Sequence, residues 1–220
     1  ELAEGESELE SGKVELEISN GEELAVEGID LASYWIDPDF FTQKDANTLG
    51  FNAVDGDYMV YNLKDWLKVV PMYNGEVASY DKGKAIWIIG EGVAKPKGGA
   101  APGWVTGEAA DLPLAKTGAN TYQITLHITG PNFKLFGQAN WGKEFVGSDY
   151  GSLDLGGFLK VNGYDAPVDS DSGNIWSGAN FEEGWYVLSV TDNDGKLDMK
   201  VDQWKQVQTV YDIEGEGNLW

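Results

Sequence analysis

The chain has 220 residues and a formal net charge of −22, and all 15 of its basic residues are lysine. Nucleic acid and anionic membrane surfaces are therefore unsuitable partners, because binding to phosphate requires clustered Lys and Arg. Without Arg, the chain lacks the bidentate fork that usually grips phosphate or carboxylate, so a neutral, hydroxyl-rich ligand fits the charge better than an anionic one. The absence of Cys excludes disulfides, thiolate zinc sites and thiol catalysis.

The composition predicts an all-β protein with many loops. Hydrophobic residues make up 42% of the chain, enough for a core, and Gly, Trp and Tyr number 29, 9 and 10. The sequence contains no run of about 18 apolar residues that could span a membrane. We expect a processed or truncated chain, with any signal peptide or lipid anchor upstream of Glu1.

An acidic segment opens the chain. Residues 1–12 lack an apolar pattern and predict a mobile tail. Alternating apolar residues over 14–18 predict the first strand, and Asn20-Gly21 predicts a hairpin turn leading to a returning strand at 24–29.

Aromatic residues crowd the next segment. Residues 33–41 predict a packed loop or a short helical turn, because Pro38 discourages a regular strand. Short strands are predicted at 49–53, 58–63 and 66–72. Together these elements predict a small immunoglobulin-like domain over residues 13–82.

A second domain is predicted over residues 83–220. It opens with an apolar strand at 85–90, followed by a long loop rich in Gly, Ala, Pro and Lys over 91–104. Later strands are predicted at 122–128 and 133–137 with a turn at 130–132 between them, at 185–190 and 197–201 with a hairpin turn at 192–195, and at 206–213. No window shows a strong helical period, so the sequence predicts two consecutive strand-rich domains with little helix.

Several of these motifs resemble SusE/SusF-type outer-membrane lipoproteins, which belong to glycan-utilisation systems of Gram-negative bacteria. The resemblance covers about Val14 to Val201. It rests on the strand exit Trp87–Gly92, Gly103-Trp104, the strand Tyr122–Leu126, and Phe133–Phe136 running into Asn140-Trp141-Gly142, together with Gly28–Leu31 and Trp35–Phe41 in the first domain.

The resemblance implies a string of β-sandwich domains in which the later, carbohydrate-binding-module-like domains bind glycans at the cell surface. It implies no catalysis, and it implies a lipid anchor on an N-terminal Cys that this chain does not contain. Such a protein holds polysaccharide for a neighbouring transporter and enzymes. We therefore expect an outer-membrane, cell-surface monomer that binds a glycan, with uptake-complex proteins as further partners and no cofactor.

Sugars bind by placing their C–H faces on exposed aromatic rings while polar side chains bridge to their hydroxyls. Trp104, Trp141 and Trp176 lie in loop-like segments with polar neighbours and are the candidate stacking residues. Trp87, Trp185 and Trp204 lie in strand-like runs, which favours core positions.

Polar candidates lie close to these tryptophans. Asn140 and Lys143 flank Trp141, while Lys95 and Lys97 precede Trp104 in the same loop. Either lysine of that loop could reach sugar hydroxyls, and a solvated loop Lys is the alternative interpretation.

Calcium and catalysis are weaker hypotheses. Asp169, Asp171 and Asn174 resemble half of a calcium loop, but the residue at the twelfth position is Asn180 rather than Glu, so no metal site is assigned. The pair Asp192 and Asp194 is better explained as a hairpin turn.

No motif marks an enzyme. A glycosidase needs two carboxylates across a cleft, and no pair is marked here. His127 is the only His, it lies on an alternating strand, and no Gly-x-Ser-x-Gly elbow accompanies it. The alternative to glycan binding is a structural or protein-interaction module of an outer-membrane complex, in which the Trp rings are buried or form one apolar patch.

Overall fold

The structure, a computed structural model, describes residues 12–95, 103–104, 112–162 and 171–204. The N-terminal part contains the strands β1 (Lys13–Ile18), β2 (Glu23–Ala25), β3 (Phe41–Gln43), β4 (Thr48–Phe51), β5 (Gly56–Asn62), β6 (Leu67–Tyr73) and β7 (Glu76–Val77). The C-terminal part contains β8 (Trp87–Ala94), β9 (Leu112–Pro113), β10 (Ala115–Lys116), β11 (Thr121–Phe136), β12 (Tyr150–Asp154), β13 (Leu159–Val161), β14 (Ile175–Ser177), β15 (Gly184–Asn193) and β16 (Lys196–Gln203). Helix is confined, within these ranges, to 3₁₀ turns at Leu31–Ser33 and Gly147–Asp149, so the predicted all-β fold is confirmed.

The N-terminal part has two sheets with a hydrophobic core between them. One sheet has the order β1-β5-β6-β7 and the other β2-β4-β3. Apolar residues of both sheets are buried together, and the rings of Phe51 and Tyr58 pack edge to face with centroids 5.0 Å apart. The predicted strands at 14–18, 49–53, 58–63 and 66–72 correspond to β1, β4, β5 and β6.

The predicted hairpin at Asn20-Gly21 is wrong. The turn forms, but β1 pairs with β5 and β2 pairs with β4, so the chain crosses from one sheet to the other there. The Asn20 side chain donates to the carbonyls of Asn52 and Ala53, at 2.8 and 2.9 Å, and joins the turn to the end of β4 instead. Long-range pairing has therefore overridden the local turn signal.

The C-terminal part contains a nine-stranded sheet. Its main order is β12-β16-β15-β11-β14-β13, and β8, β9 and β10 pair beside this path. One large core cluster collects the inward side chains of these strands. The predicted hairpin at 185–201 is confirmed as β15 and β16, whose turn places Asp194 and Gly195 at φ 56° and 90°.

Strand β11 is sixteen residues long and passes through the predicted turn at 130–132, so that prediction is wrong. A bulge stands where the turn was expected: Ile128 pairs with Val93 and Asn132 with Glu91, four residues on β11 against two on β8. Pro131 is tolerated because a bulge needs no ladder hydrogen bond from its nitrogen.

The bulge also changes which side chains face the core. Before it Leu126 and Ile128 are buried in the core cluster, and after it Phe133 and Leu135 are. The core-facing residues of β11 are thus even-numbered before the bulge and odd-numbered after it. A regular strand, whose side chains strictly alternate, could not make this change. Gly92 makes the close approach possible, because a Cβ there would lie 2.3 Å from the Gly130 carbonyl oxygen.

A buried ionic cluster joins the N-terminal part to the C-terminal sheet. The Lys95 ammonium lies 2.9 Å from an Asp37 carboxylate oxygen and 2.5 Å from one of Asp39. Asp39 also accepts hydrogen bonds from the Thr125 amide and hydroxyl and from Gln123 on β11. Lys95 therefore lies neither at a sugar site nor in a solvated loop, and both interpretations of it are corrected.

The division of the chain at residues 82 and 83 stays a prediction. Buried side chains from either side of that point, including Val70, Ala78, Trp87 and Phe136, pack in one cluster. The predicted strand at 206–213 and nearly all of the acidic tail lie outside the described residues. No helix in the described ranges is long and apolar enough to cross a membrane.

Candidate functional site

Beyond the bulge, four neighbouring strands, β8, β11, β14 and β13, each contribute one side chain to a row that runs across the outward side of the sheet. Glu91 pairs with Asn132, Asn132 with Trp176, and Trp176 with Lys160. Directly paired residues point to the same side of a sheet, so these four side chains stand next to one another. Lys134, Asn174 and Asn162 follow on the same side by alternation. We call this set of seven residues the open face.

A cavity lies over this row. It is shallow and opens widely to solvent, its volume is about 530 Å³, and it is lined by Glu91, Gly130, Pro131, Asn132, Lys160, Asn162, Trp176 and Ser177. This volume is in the range of cavities that hold small molecules, which is about 300–1,000 Å³. The lining mixes one aromatic ring with amide and charged groups, as a hydroxyl-rich ligand would need.

Trp176 is placed here by β14, a three-residue strand held between β11 and β13. The side chain is half-buried, and its Nε1 is inaccessible and has no acceptor among the described residues. Whatever part of the indole reaches solvent is therefore carbon. A ring that hides its polar edge and shows its carbon surface suits the C–H face of a sugar.

Amide groups lie beside this ring. The Asn174 side chain donates to the Asn132 Oδ1 at 2.8 Å, which fixes the orientation of both amides. The backbone of Asn162 donates to the Asn174 carbonyl at 2.9 Å and holds the end of β13 against β14. The row thus offers oriented donors and acceptors next to an aromatic surface.

Trp104 and Trp141 form a stacked pair farther along the same side. Their ring centroids are 6.2 Å apart and their planes differ by 17°. Trp104 packs on the buried cluster around Trp87, while Trp141 is 51% exposed and contacts Phe136 edge to face. Because the two rings cover each other, the open aromatic surface is that of Trp141.

Phe136 connects this pair to the cavity. It lies four residues beyond Asn132 on β11, about 13 Å along the strand, and points to the same side. Trp141 and Trp176 therefore lie on the same side of the sheet, with Lys134 and the fully buried Phe136 between them. The sequence predicted both rings as candidates but not that a common strand would align them.

The other predicted residues have different positions. Asn140 is exposed beside Trp141. Lys143 is also exposed, but its ammonium lies 2.8 Å from the Asp81 carboxylate in an ion pair. Lys97 lies outside the described residues.

A second aromatic cluster, which the sequence did not indicate, lies where the N-terminal part meets β11 and β15. Trp185 stacks on Trp35 with centroids 5.5 Å apart and planes at 22°, and it receives the edges of His127 and Trp204. Trp87 is fully buried as predicted, whereas the core prediction for Trp185 and Trp204 is wrong, because both are half-buried in this cluster. The ring surfaces of Trp185 are already occupied by protein.

Two of the aspartates that the sequence offered as calcium ligands, Asp171 and Asp192, accept hydrogen bonds within the fold. The Asp192 carboxylate accepts from the Tyr80 hydroxyl at 2.7 Å and from the Gly195 amide at 2.8 Å, as a hairpin turn requires. Burial and this bond raise the pKa of Tyr80 to about 12. Asp169 lies outside the described residues, and Asp171 accepts from the Ser148 amide. Across the described ranges, no three His, Cys, Asp or Glu residues converge to hold a metal ion.

No protein-family model matches the chain, and no curated protein matches it either. Among solved structures, the chain is similar to the crystal structure of SusF from Bacteroides thetaiotaomicron, with 17% identity and a TM-score of 0.32. The alignment covers 87% of this chain and 43% of the SusF chain, so this chain spans less than half the length of that protein.

At this identity and TM-score the similarity bears on neither the ligand nor the mechanism. The open face must therefore be interpreted from its own residues.

Proposed function

We propose that this chain is a non-catalytic glycan-binding module. Sugar rings stack on Trp141 and Trp176, and the amides of Asn132, Asn162 and Asn174 bridge to hydroxyl groups between them. The observation that carries the proposal is the alignment of two aromatic surfaces on one side of β11, with a cavity of about 530 Å³ at one of them.

The composition of the cavity supports binding over hydrolysis. Glu91 supplies the one carboxylate among the described lining residues, whereas glycoside hydrolysis generally uses two, on opposite sides of the scissile bond. His127 packs against Trp185 away from the cavity. The groups near the two rings thus suit recognition of hydroxyls.

The exposed apolar surface also supports a ligand over a protein partner. Among the described residues the large apolar side chains that are most exposed are Leu63, Tyr73, Val77 and Trp141. Trp141 lies on the same side of the C-terminal sheet as the open face, while the other three belong to or adjoin β5, β6 and β7 in the N-terminal part. A protein-interaction module would join such residues into one patch.

The SusE/SusF-type resemblance supplies the proposed setting. In it the full-length protein is lipid-anchored at the outer-membrane surface, works as a monomer beside the proteins of an uptake complex, and keeps polysaccharide close to them. The N-terminal part serves as a spacer that positions the binding module.

A glycan panel tests the proposal. Polysaccharides and oligosaccharides are titrated into the chain and followed by tryptophan fluorescence and calorimetry, with Trp141→Ala and Trp176→Ala as variants. We expect each variant to weaken binding by tenfold or more, because one well-placed aromatic contact contributes over 1 kcal/mol.

Trp204→Ala is the matched control, because it removes a half-buried indole from the other aromatic cluster. It should leave the affinity unchanged. A folded chain that binds no glycan across a broad panel, or that binds one equally well without Trp141 and Trp176, contradicts the proposal.

A further inference from the structure

Lysines flank the Trp176 ring on the open face. Lys160 pairs directly with Trp176 across β13 and β14. Lys134 lies two residues beyond Asn132 on β11, and Asn132 pairs with Trp176 from the other side. The ring is thus bordered by a positive side chain on each of its neighbouring strands.

Neither lysine is neutralised within the described residues. Ion pairs there include those of Lys82 with Glu76, Lys95 with Asp37 and Asp39, Lys143 with Asp81, and Lys200 with Asp202, and none of these involves Lys134 or Lys160. The two lysines place two positive charges next to one ring in a chain with 37 acidic and 15 basic residues. Their charges remain available to a ligand.

The acidic group of the open face lies on the opposite side of the row. Glu91 is separated from Trp176 by the strand that carries Asn132, and from Lys160 by one strand more. With strands about 4.8 Å apart, Glu91 and Lys160 are about 14 Å from each other at their Cα atoms. The row is therefore polarised from Glu91 at one end to Lys160 at the other, with Lys134 diagonal to both Glu91 and Trp176.

The net charge of −22 does not outweigh this local arrangement. At physiological ionic strength the Debye length is about 8 Å, so distant exposed carboxylates are largely screened at the ring. An anionic group stacked beside Trp176 interacts mainly with Lys160 and Lys134.

From this polarity we propose that the glycan of this site carries anionic groups, either the carboxylates of uronic acids or sulfate esters. The acidic sugar stacks on Trp176 with its anionic group toward Lys160 and Lys134, and neutral sugars extend toward Trp141. This inference rests on the proposed glycan-binding function and specifies its ligand. It also replaces the expectation of a neutral ligand, which followed from the net charge and the absence of Arg.

A ligand pair that differs only in charge tests the inference. Oligogalacturonate and its fully methyl-esterified form are titrated into the chain, and a sulfated glycan is compared with its desulfated form. We expect one charged form to bind at least tenfold more tightly than its neutral counterpart, with an affinity that falls as salt is raised. The two arms distinguish a carboxylate from a sulfate.

Lys134→Gln combined with Lys160→Gln should remove that preference and the salt dependence. Lys200→Gln, which alters an exposed lysine on β16, is the control and should change neither. If neutral glycans bind as tightly as charged ones, or the double variant keeps the preference, the inference is wrong while glycan binding stands. If no glycan of either kind binds the folded chain, the proposed function fails with it.

Discussion

The two halves of β11 show how one strand can serve two purposes. Before the bulge, its outward side chains Gln123, Thr125 and His127 are covered by the N-terminal part and by β15. After the bulge, the outward side chains Asn132 and Lys134 stay partly exposed on the open face. The first half is covered along its length, whereas the second half presents Asn132 and Lys134 before Phe136 is buried again against Val70 and Ala78.

The chemistry of the two halves differs in the same way. At the covered half, charged groups are buried and satisfied by one another, with Asp39 accepting bonds from Lys95, Gln123 and Thr125. At the open half, charged groups reach solvent and have no described ionic partner. Exposed charged groups without an ionic partner are available to bind a ligand. Buried charged groups that form ion pairs and hydrogen bonds with one another instead hold two parts of a protein together.

Removal of the Lys95 charge should produce the largest effect. Lys95→Met keeps most of the side-chain volume but leaves Asp37 and Asp39 buried without their cation, so we expect a loss of about 3–5 kcal/mol in the free energy of unfolding. Urea unfolding followed by tryptophan fluorescence measures it.

Lys82→Met is the control for that experiment, because the Lys82–Glu76 pair has side chains 62% and 71% exposed. It should cost less than about 1 kcal/mol. Equal losses in the two variants would mean that the covered half of β11 does not depend on its ionic cluster.

Insertion of a methyl group at the bulge should come next in size. In Gly92→Ala the new Cβ meets the Gly130 carbonyl, and the backbone of Gly92 has φ +70°, so we expect a loss of about 1–3 kcal/mol. Gly184→Ala has no atom within 4 Å of its new Cβ and should change stability by less than about 0.5 kcal/mol.

The Gly92→Ala variant also tests whether the bulge is what separates the two halves. If it folds, its open face should be misaligned, and its affinity for the glycan should fall while that of Gly184→Ala does not. Retention of both stability and affinity would show that the halves are positioned independently of the bulge.

Much of this could be predicted from the sequence because β structure leaves local signals. Alternation over 122–128, the short apolar run at 85–90 and the Asp194-Gly195 turn each depend on neighbours along the chain, and the structure confirms them as β11, β8 and the β15–β16 hairpin. Trp141 and Trp176 could be selected because their flanking residues are polar and rich in Gly.

What could not be predicted depends on residues far apart in the chain. Lys95 and Asp37 are 58 positions apart, and nothing around either residue indicates that they are buried together. Gly130-Pro131 favours a turn as much as a bulge, and only the pairing of β11 with β8 distinguishes the two. Trp185 lies in a strand-like run typical of a core residue, but its cover comes from Trp35 in the other part of the molecule.

The pH dependence of stability should be smaller and should come from the covered half. Burial raises the pKa of Asp37 to about 6, with Lys95 opposing and Asp39 reinforcing the effect. Burial alone would raise the pKa of Asp39 too, but Lys95 and the Thr125 hydrogen bonds lower it overall. Between about pH 4 and 6 the folded chain therefore binds a proton at Asp37 that the unfolded chain releases.

The contribution of Asp37 to the free energy of unfolding should accordingly increase as the pH falls through 6. The Asp37→Asn variant should lack this increase. The free energy of unfolding of the native chain minus that of Asp37→Asn should rise between pH 7 and 4.5, by at most about 1.4 kcal/mol per pH unit. Chemical denaturation at four or five pH values measures it. A constant or falling difference would contradict a raised pKa for Asp37.

The smallest effect is expected at Lys143, which the sequence placed in the binding site. Its ion pair with Asp81 joins side chains 61% and 64% exposed, so Lys143→Gln and Asp81→Asn should each cost less than about 1 kcal/mol. Because Asp81 already holds the ammonium, Lys143→Gln should also reduce glycan affinity far less than Trp141→Ala does. If it instead weakens binding as much as Trp141→Ala, the lysine leaves Asp81 for the ligand, and the binding surface extends past Trp141 toward the Lys143–Asp81 pair.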